Sequence, residues 1–594
     1  MKANFFPSPA PTPAAYLRAA RLIKDAGGTG LRSVRVAVLS SDTVEVIRPY
    51  LVVESARLGF AFQPWFAPWG QIEQQALDDG SDLHTEDPDV VLVLARLEEW
   101  SPELCDRFLL RDDNQIKAAR KDILQRLENL LSGLRKYSDA VIFFANFVPP
   151  LRVAAGMADL SLRHCFRETV QGINGAVRKA VSRVPGAYTF DLAQVAIEHG
   201  LANWCDPRLA ALARVPLSLS AQIATCKAFS RVVHAALVPP AKVLVLDLDN
   251  TLWGGVLGED GFGGIQLGND HPGNVYKAFQ QYLLNLRDSG ILLAIASKNN
   301  PADVDEFFDR YPDRVLQRED FAACRVNWND KSDSLREIAE ELNVDLDALA
   351  FFDDSPFERE QVAHHLPMVR VIDVPESALE YSNAVDSSAV FDRLTLTSED
   401  RDRSALYIKQ KQRLQPSATT RSRGEFLLSL EMVATVGLLA NDQMPRVAQL
   451  LAKTNQFNLT TRRHSAVGMD SMLRGGAIGL WLRLADRFGD QGLVGFALAV
   501  PESPTRWRLD SFLLSCRVIG RDAETALLAT LAGMLRQRGI QELRGEYIPT
   551  PKNAPVADFF SRHLFAASEG GEWILDLAAS PISIPAHIRV APLS

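Results

Sequence analysis

The chain has 594 residues, of which 47% are hydrophobic and 23% charged, and its formal net charge is −9. That length exceeds what one hydrophobic core serves and predicts roughly three or four domains, while the acidic balance argues against a general nucleic-acid binder. No apolar run approaches the ~20 residues a membrane span needs, no signal peptide is read in the opening Met1–Pro13, and six scattered cysteines without a CxxC pair predict reduced thiols and a cytoplasmic protein.

The first ~15 residues, rich in Pro and Ala, read as a lead-in. Apolar runs at 34–40, 90–95 and 140–147 are predicted strands, and 116–137 has the Leu and Ile spacing of a helix. Strands alternating with helices predict a parallel α/β layer, spanning 1–238 and ending near Pro239-Pro240. A second α/β unit, 239–385, opens with KVLVLDLDNT and continues through strands ILLAIAS and ALAFFDD with a helix from SDSLREIAEELN. Residues 386–424 hold a charged stretch, 398–415, that reads as linking helix. The last unit, 425–594, has a long strand pair in 480–500, a strand at 508–515, a helix at 523–539, a strand at 542–548 and a closing helix at 556–565.

The second unit concentrates chemistry at its strand ends. Asp247 closes an apolar strand, at the edge where open α/β sheets bind ligands. Asp249 and Thr251 follow it, Ser297 ends ILLAIAS, Asp353 and Asp354 end ALAFFDD, and Lys331 opens a helix between those two strands. One rim thus receives four carboxylates, an ammonium and hydroxyls. A carboxylate attacking a phosphate must overcome anion–anion repulsion, which a divalent cation held by carboxylates offsets, and hard oxygen ligands favour Mg²⁺. Asp247 is the expected nucleophile and Asp249 the acid and base. Thr251, Ser297 and Lys331 are expected to hold phosphoryl oxygens, and Asp247, Asp249, Asp353 and Asp354 to form the metal shell. One helix and a flanking loop fill the chain between Asp247 and Ser297, so no inserted cap domain fits; a short flap, 253–268, is the only cover expected.

The ordered set D-x-D-x-T, S, K, D-D resembles the haloacid-dehalogenase (HAD) superfamily. The wording LDLDNTLWGGVLGEDG, IASKNN, NWNDKSDSLREIAEELN and FFDDSPFERE, with KTNQFNLTTRR, ADRFGDQGLVG, LSCRVIGRDAE and YIPTPKNAPVADFF further on, resembles its FkbH-like branch. Ser355 departs from the Asn that members often carry after the paired aspartates. The resemblance implies a glyceryl transferase/phosphatase of polyketide-type biosynthesis. Its donor would be 1,3-bisphosphoglycerate and its acceptor the phosphopantetheine thiol of an acyl carrier protein, with both phosphates lost.

The last unit resembles the acetyltransferase-like (GNAT) fold, in which a Gly-rich turn at a helix N-terminus cradles a pantetheine pyrophosphate. Here that turn is Arg517-Val518-Ile519-Gly520-Arg521-Asp522, and the acid at its end favours a carrier-borne arm over free coenzyme A. Cys516, beside Arg517 and before a helix, is a candidate acyl relay, since both neighbours raise thiolate content. Asn455, Arg517 and Gly520 are the candidate acyl- and pantetheine-binding residues. The Asn455-Gln456-Phe457-Asn458 cluster fits either a polar loop against substrate or plain packing, and His464 is either a base or a surface residue. The first unit resembles an SGNH-hydrolase-type layer, with Ser40-Ser41-Asp42 where Gly-Asp-Ser is expected and Asn146 at the Asn position. It has no Asp-x-x-His, because Asp206 is followed by Pro207, Arg208 and Leu209, so a non-catalytic role such as carrier docking is expected. The rival readings are a phosphatase acting on a phosphorylated small molecule or protein, and a non-catalytic scaffold, against which the intact Asp247 and Asp249 stand.

Overall fold

The computed structural model describes all residues except 1–11, 26–29, 398–399, 401–426, 429, 455–456, 488, 516–517, 551–552, 569–570 and 592–594. The expected linking helix at 398–415 therefore lies, save for Asp400, outside the described residues. The chain is mixed α/β with parallel sheets and divides into two compact units, Met1–Val238 and Pro239–Ser594.

The first unit is a five-stranded parallel sheet of β1 (Arg32–Ser40), β2 (Phe60–Phe66), β3 (Val90–Leu94), β4 (Val141–Ala145) and β5 (Ala187–Phe190) in the order β2-β1-β3-β4-β5. β3 is buried along its whole length, as an apolar run in a doubly covered sheet must be. The expected helix at 116–137 begins earlier, at Asp113, because Asp112 and Gln115 form a reciprocal capping box that satisfies two backbone N–H groups.

The second unit holds two sheets. The first comprises β6 (Val243–Leu246), β7 (Leu292–Ser297), β8 (Phe321–Val326), β9 (Leu349–Phe352) and β10 (Arg370–Val371), all parallel, in the order β10-β9-β6-β7-β8. β6 sits in the middle and each strand runs the same way, so the residues after β6, β7 and β9 emerge along one edge. The second has eight strands: β11 (Met432–Leu438), β12 (Ile478–Asp486), β13 (Gly489–Pro501), β14 (Arg506–Leu514), β15 (Glu542–Glu546), β16 (Ala566–Ala567), β17 (Glu572–Asp576) and β18 (Ile588–Ala591). β11 to β14 form an antiparallel meander, and the buried helix Ala523–Gln537 then carries the chain to β15, parallel to β14. β18 lies parallel beside β11 at the sheet's far side. The closing helix expected at 556–565 is a single turn, Phe559–Arg562, followed by the short β16.

The expected units 239–385 and 425–594 both lie within the compact unit Pro239–Ser594. Asp400, fully buried, accepts from Gln449 Nε2 at 2.9 Å in the helix Met444–Lys453 and lies 4.0 Å from Arg393, which itself donates to Ser289 O at 2.5 Å.

Gln280, on the helix Gly273–Asp288 and 1% exposed, fastens the loop that follows β6. Its Nε2 donates to Leu252 O at 2.8 Å, and its Oε1 accepts from Val315 N at 2.9 Å and Leu316 N at 3.1 Å. Gln280→Leu strands three backbone groups away from water, so we expect a loss of about 3 kcal/mol in denaturant unfolding.

Candidate active site

β6 ends at Leu246 and hands Asp247 to the sheet edge, and β9 ends at Phe352 and hands it Asp353 and Asp354. β6 and β9 are paired neighbours, Leu246 opposite Phe352. An oxygen of Asp247, Asp353 and Asp354 lies within 4.8 Å of one of each of the others. Lys331, first residue of the helix Lys331–Glu341 and only 4% exposed, reaches into this group, with Nζ 3.0 Å from Asp247 Oδ1 and 2.5 Å from Asp353 Oδ2. Burial alone pulls the ammonium down, but the two carboxylates outweigh it and hold it above its ordinary value. The acids feel the opposite balance. Burial and the charge of Asp247 push Asp353 up to about 7 and Asp354 up to about 6, with Lys331 pulling back on both.

Those three carboxylates are hard oxygen donors packed closely enough to converge on one small cation, and burial together with the charge of Asp247 raises Asp353 and Asp354 in a way that a bound cation would relieve. They fit Mg²⁺. The backbone around them is braced: Arg359 Nη1 donates to Asp353 O at 2.7 Å and Asp354 O at 2.8 Å, and Ser355 N donates to Asp353 Oδ1 at 3.0 Å. Ser355, the departure from the expected Asn, caps the helix Pro356–His365 through Glu358 N.

The structure does not bring the Asp249 carboxylate into the metal cluster. Its Oδ1 accepts from Trp253 Nε1 at 2.9 Å and Leu257 N at 3.0 Å, and its Oδ2 from Asn299 Nδ2 at 2.9 Å. Burial raises its pKa, against these hydrogen bonds, and the charge of Asp247 adds to the rise, so the group is biased toward the protonated form an acid needs. Asp249 also ties the site to the flap: Leu257 opens the flap helix Leu257–Gly264, and Gly254 pairs with Gln266 across the flap's base. A Cβ on Gly254 would meet Gln266 Oε1 at 2.7 Å and Tyr276 at 2.8 Å, so only glycine fits that closure.

Thr251 is fully buried, and among the described residues its Oγ1 has no hydrogen-bond partner. Ser297, last residue of β7, is 4% exposed on the same edge. Asn299 and Arg359 were missed as site residues, although the doubled Asn after Ser297-Lys298 was a usable signal.

In the last unit, Cys516, Arg517, Asn455 and Gln456 lie outside the described residues. Gly520 has φ +79° in the turn before the helix Ala523–Gln537, and Asp522 sits 3.2 Å from His587 Nε2. Of the polar cluster, Phe457 and Asn458 are packing residues, 1% and 0% exposed. The segment they start runs beside β14, with Leu514 N donating to Phe457 O and Leu459 N to Phe512 O, and Ile548 N past the end of β15 donates to Leu459 O. Asn553 Nδ2 locks it by donating to Asn458 O at 2.9 Å. In the first unit Asn146 is occupied by Asp191 and Ala193 N, Asp42 by Arg96, and Ser41 Oγ by Arg96 N. Asp206 caps the helix Pro207–Ala213.

No protein-family profile matches the chain, and no curated protein matches it. Among solved structures it is similar to the N-terminal part of the protein BF1531 from Bacteroides fragilis, which contains a phosphatase domain and was crystallised with Mg: 26% identity over 63% of this chain and 99% of that one, TM-score 0.55. Lesser likenesses are to a GNAT-family acetyltransferase from Staphylococcus aureus Mu50 (11% identity, 24% of this chain and 99% of that one, TM-score 0.21) and to GNAT-family YhbS from Escherichia coli in complex with CoA (14%, 26% and 87%, TM-score 0.19). The chain is an enzyme. No helix among the described residues is long and apolar enough to cross a membrane.

Without a cation, the folded protein keeps protons on Asp353 and Asp354 up to about pH 7 and 6. The unfolded chain releases them near the ordinary carboxylate value of about 4. Metal-free stability contributed by these groups therefore falls as pH rises through that window, and cation binding must displace the same protons. The rise in melting temperature on adding millimolar Mg²⁺ is expected to be several-fold larger near pH 8 than near pH 5.5, measured by scanning fluorimetry.

Proposed function

We propose that the chain is a glyceryl transferase/phosphatase of the FkbH-like, HAD-type kind. It takes 1,3-bisphosphoglycerate as donor, loads the glyceryl group onto the phosphopantetheine thiol of an acyl carrier protein, and removes the remaining phosphate at the Asp247 site. The observation that carries the phosphatase half is the convergence of Asp247, Asp353, Asp354 and Lys331 on one sheet edge. The motif resemblance supports the finer reading of substrate and partner, as does the meander-and-crossover topology of 425–594.

Mg²⁺ held by Asp247, Asp353 and Asp354 would offset the repulsion between a carboxylate and a phosphate. An Asp247 oxygen attacks phosphorus, the bond to the ester oxygen breaks, and Asp249 gives that oxygen its proton. Asp249 then takes a proton from water, which hydrolyses the phosphoaspartate. The buried Thr251 hydroxyl, Ser297 and the Lys331 ammonium hold the phosphoryl oxygens and neutralise charge as it spreads. The C1 acyl phosphate needs no such site, because it is already activated toward a thiol; Cys516 is the proposed relay, with Asn455, Arg517 and Gly520 against the acyl or pantetheine group. Residues 1–238, an SGNH-like layer without a Ser–His pair in this reading, dock the carrier protein. The enzyme works in the cytoplasm, where its thiols stay reduced.

Two measurements test this. Asp247→Asn is expected to lower phosphate release by about 10³-fold or more with an unchanged circular dichroism spectrum; turnover near wild type sinks the phosphatase mechanism. With 1,3-bisphosphoglycerate as donor, intact mass spectrometry should show a glyceryl adduct on holo-carrier protein and none on apo-carrier, with coenzyme A the poorer acceptor. Acylation of coenzyme A at an equal or faster rate would overturn the carrier assignment.

A further inference from the structure

The last unit holds a second cluster of ionisable side chains, apart from the Asp247 site. At its centre is Asp510 on β14, 3% exposed. Oδ2 faces His464 Nε2 at 2.5 Å and accepts from Ser511 Oγ at 3.1 Å. Oδ1 lies 3.2 Å from Arg462 Nη1 and 3.1 Å from Arg508 Nη1. Burial pushes the Asp510 carboxyl up, but the hydrogen bond from His464 and the charges of His464, Arg508 and Arg462 together bring it below its usual range. The carboxylate is thus ionised and already satisfied by two guanidinium groups and a hydroxyl.

The imidazole is held differently. With Nε2 turned to the carboxylate, Nδ1 is the ring nitrogen on the far side. The ring keeps 21% of its surface, and no described residue is hydrogen-bonded to Nδ1. Its backbone is anchored on both sides: Thr461 N donates to Asn458 Oδ1 at 2.9 Å, and Ser465 caps the helix Ala466–Arg474. Such an arrangement, a buried acid behind an imidazole whose far nitrogen is open, is that of an oriented proton acceptor. A histidine that merely neutralised Asp510 would duplicate Arg462 and Arg508. The other charged groups around it are Glu546 on β15, 2.6 Å from Arg462, and Glu502 in the turn before β14, 3.4 Å from Arg508.

We propose that His464, held by Asp510, is the general base of acyl transfer in the last unit, its Nδ1 taking the proton from the thiol that attacks the acyl phosphate. The S–H bond breaks and its proton goes to Nδ1. The sulfur electron pair forms the bond to the carbonyl carbon, and the carbonyl–oxygen bond to phosphate breaks, with phosphate leaving on that pair. The imidazolium then returns its proton to water. The inference rests on the acyl-transfer reading given above, and it places Asp510 as a positioning residue.

The test uses the full chain as wild type and as His464→Gln. Acyl transfer from 1,3-bisphosphoglycerate to holo-carrier protein is followed by intact mass across pH, and phosphate release from p-nitrophenyl phosphate serves as an independent reading of the Asp247 site. We expect His464→Gln to leave phosphate release within about two-fold of wild type and to lower acyl transfer near pH 7 by about 10²-fold or more. That deficit should shrink as pH passes about 8.5, where a thiol ionises unaided. Transfer at the wild-type rate near neutral pH, or a deficit that stays constant with pH, overturns the base role while the acyl-transfer reading stands. A wild-type enzyme that releases phosphate but acylates no thiol at any pH overturns both.

Discussion

The rest of the site depends on the contact among Asp247, Lys331 and Asp353. Three acids are brought to one buried edge by two paired strands, and a single ammonium answers two of them. Like charges so placed oppose folding, and removing one partner from such a buried group costs several kcal/mol. The core beneath meets that cost with stiff apolar strands: every residue of β6, β7 and β9 is buried. The edge itself is stiffened by Arg359, which grips the carbonyls of both terminal aspartates, and by Gln280, which grips the loop after Asp247. The surroundings therefore hold the acids closer together than their charges would allow in water, and that enforced proximity makes the group competent to collect a cation.

The strand ends and their acids were legible in the sequence because each chemical residue interrupts or terminates an apolar run, and a doubly covered parallel strand writes itself as such a run. Asp247, Ser297 and Asp353 could be placed from that alone, and Lys331 from its position at the start of a helix. What Asp249 does with its oxygens could not, because its partners Leu257 and Asn299 belong to a flap and a loop whose approach is fixed by the tertiary fold. The same holds for Asp510 and His464, which look like an ordinary strand acid and a surface histidine until the fold brings them together from 46 positions apart. For the polar run around Asn458 the sequence left two readings open, and at Asn458 itself packing holds for a related reason. Asn458 is wholly buried, and Asn553 crosses to it from a distant loop.

Asp249 links reactivity to cover. The Asp249 carboxylate, the proton carrier of the proposed reaction, also accepts from the first residue of the flap helix and from the indole of Trp253, whose ring packs 4.3 Å from Phe307. Both flap bonds fall on Oδ1, and Oδ2 accepts only from Asn299, which leaves that oxygen a lone pair for a proton while the flap stays tied. A segment only 253–268 long is in this way fastened directly to the site.

The eight-stranded sheet has a temporal consequence. β11, its first strand in the chain, is flanked on one side by β12 and on the other by β18, Met432 opposite Ile588. During synthesis β12 to β15 follow β11 and can assemble on its inner edge at once, while its outer edge stays bare until residues 588–591 leave the ribosome. A bare strand edge is a template for pairing with another chain. The nascent protein therefore passes through a stage, long relative to the folding of a meander, in which its most adhesive surface is open. On a crowded polysome, that edge is where a neighbouring nascent chain would pair.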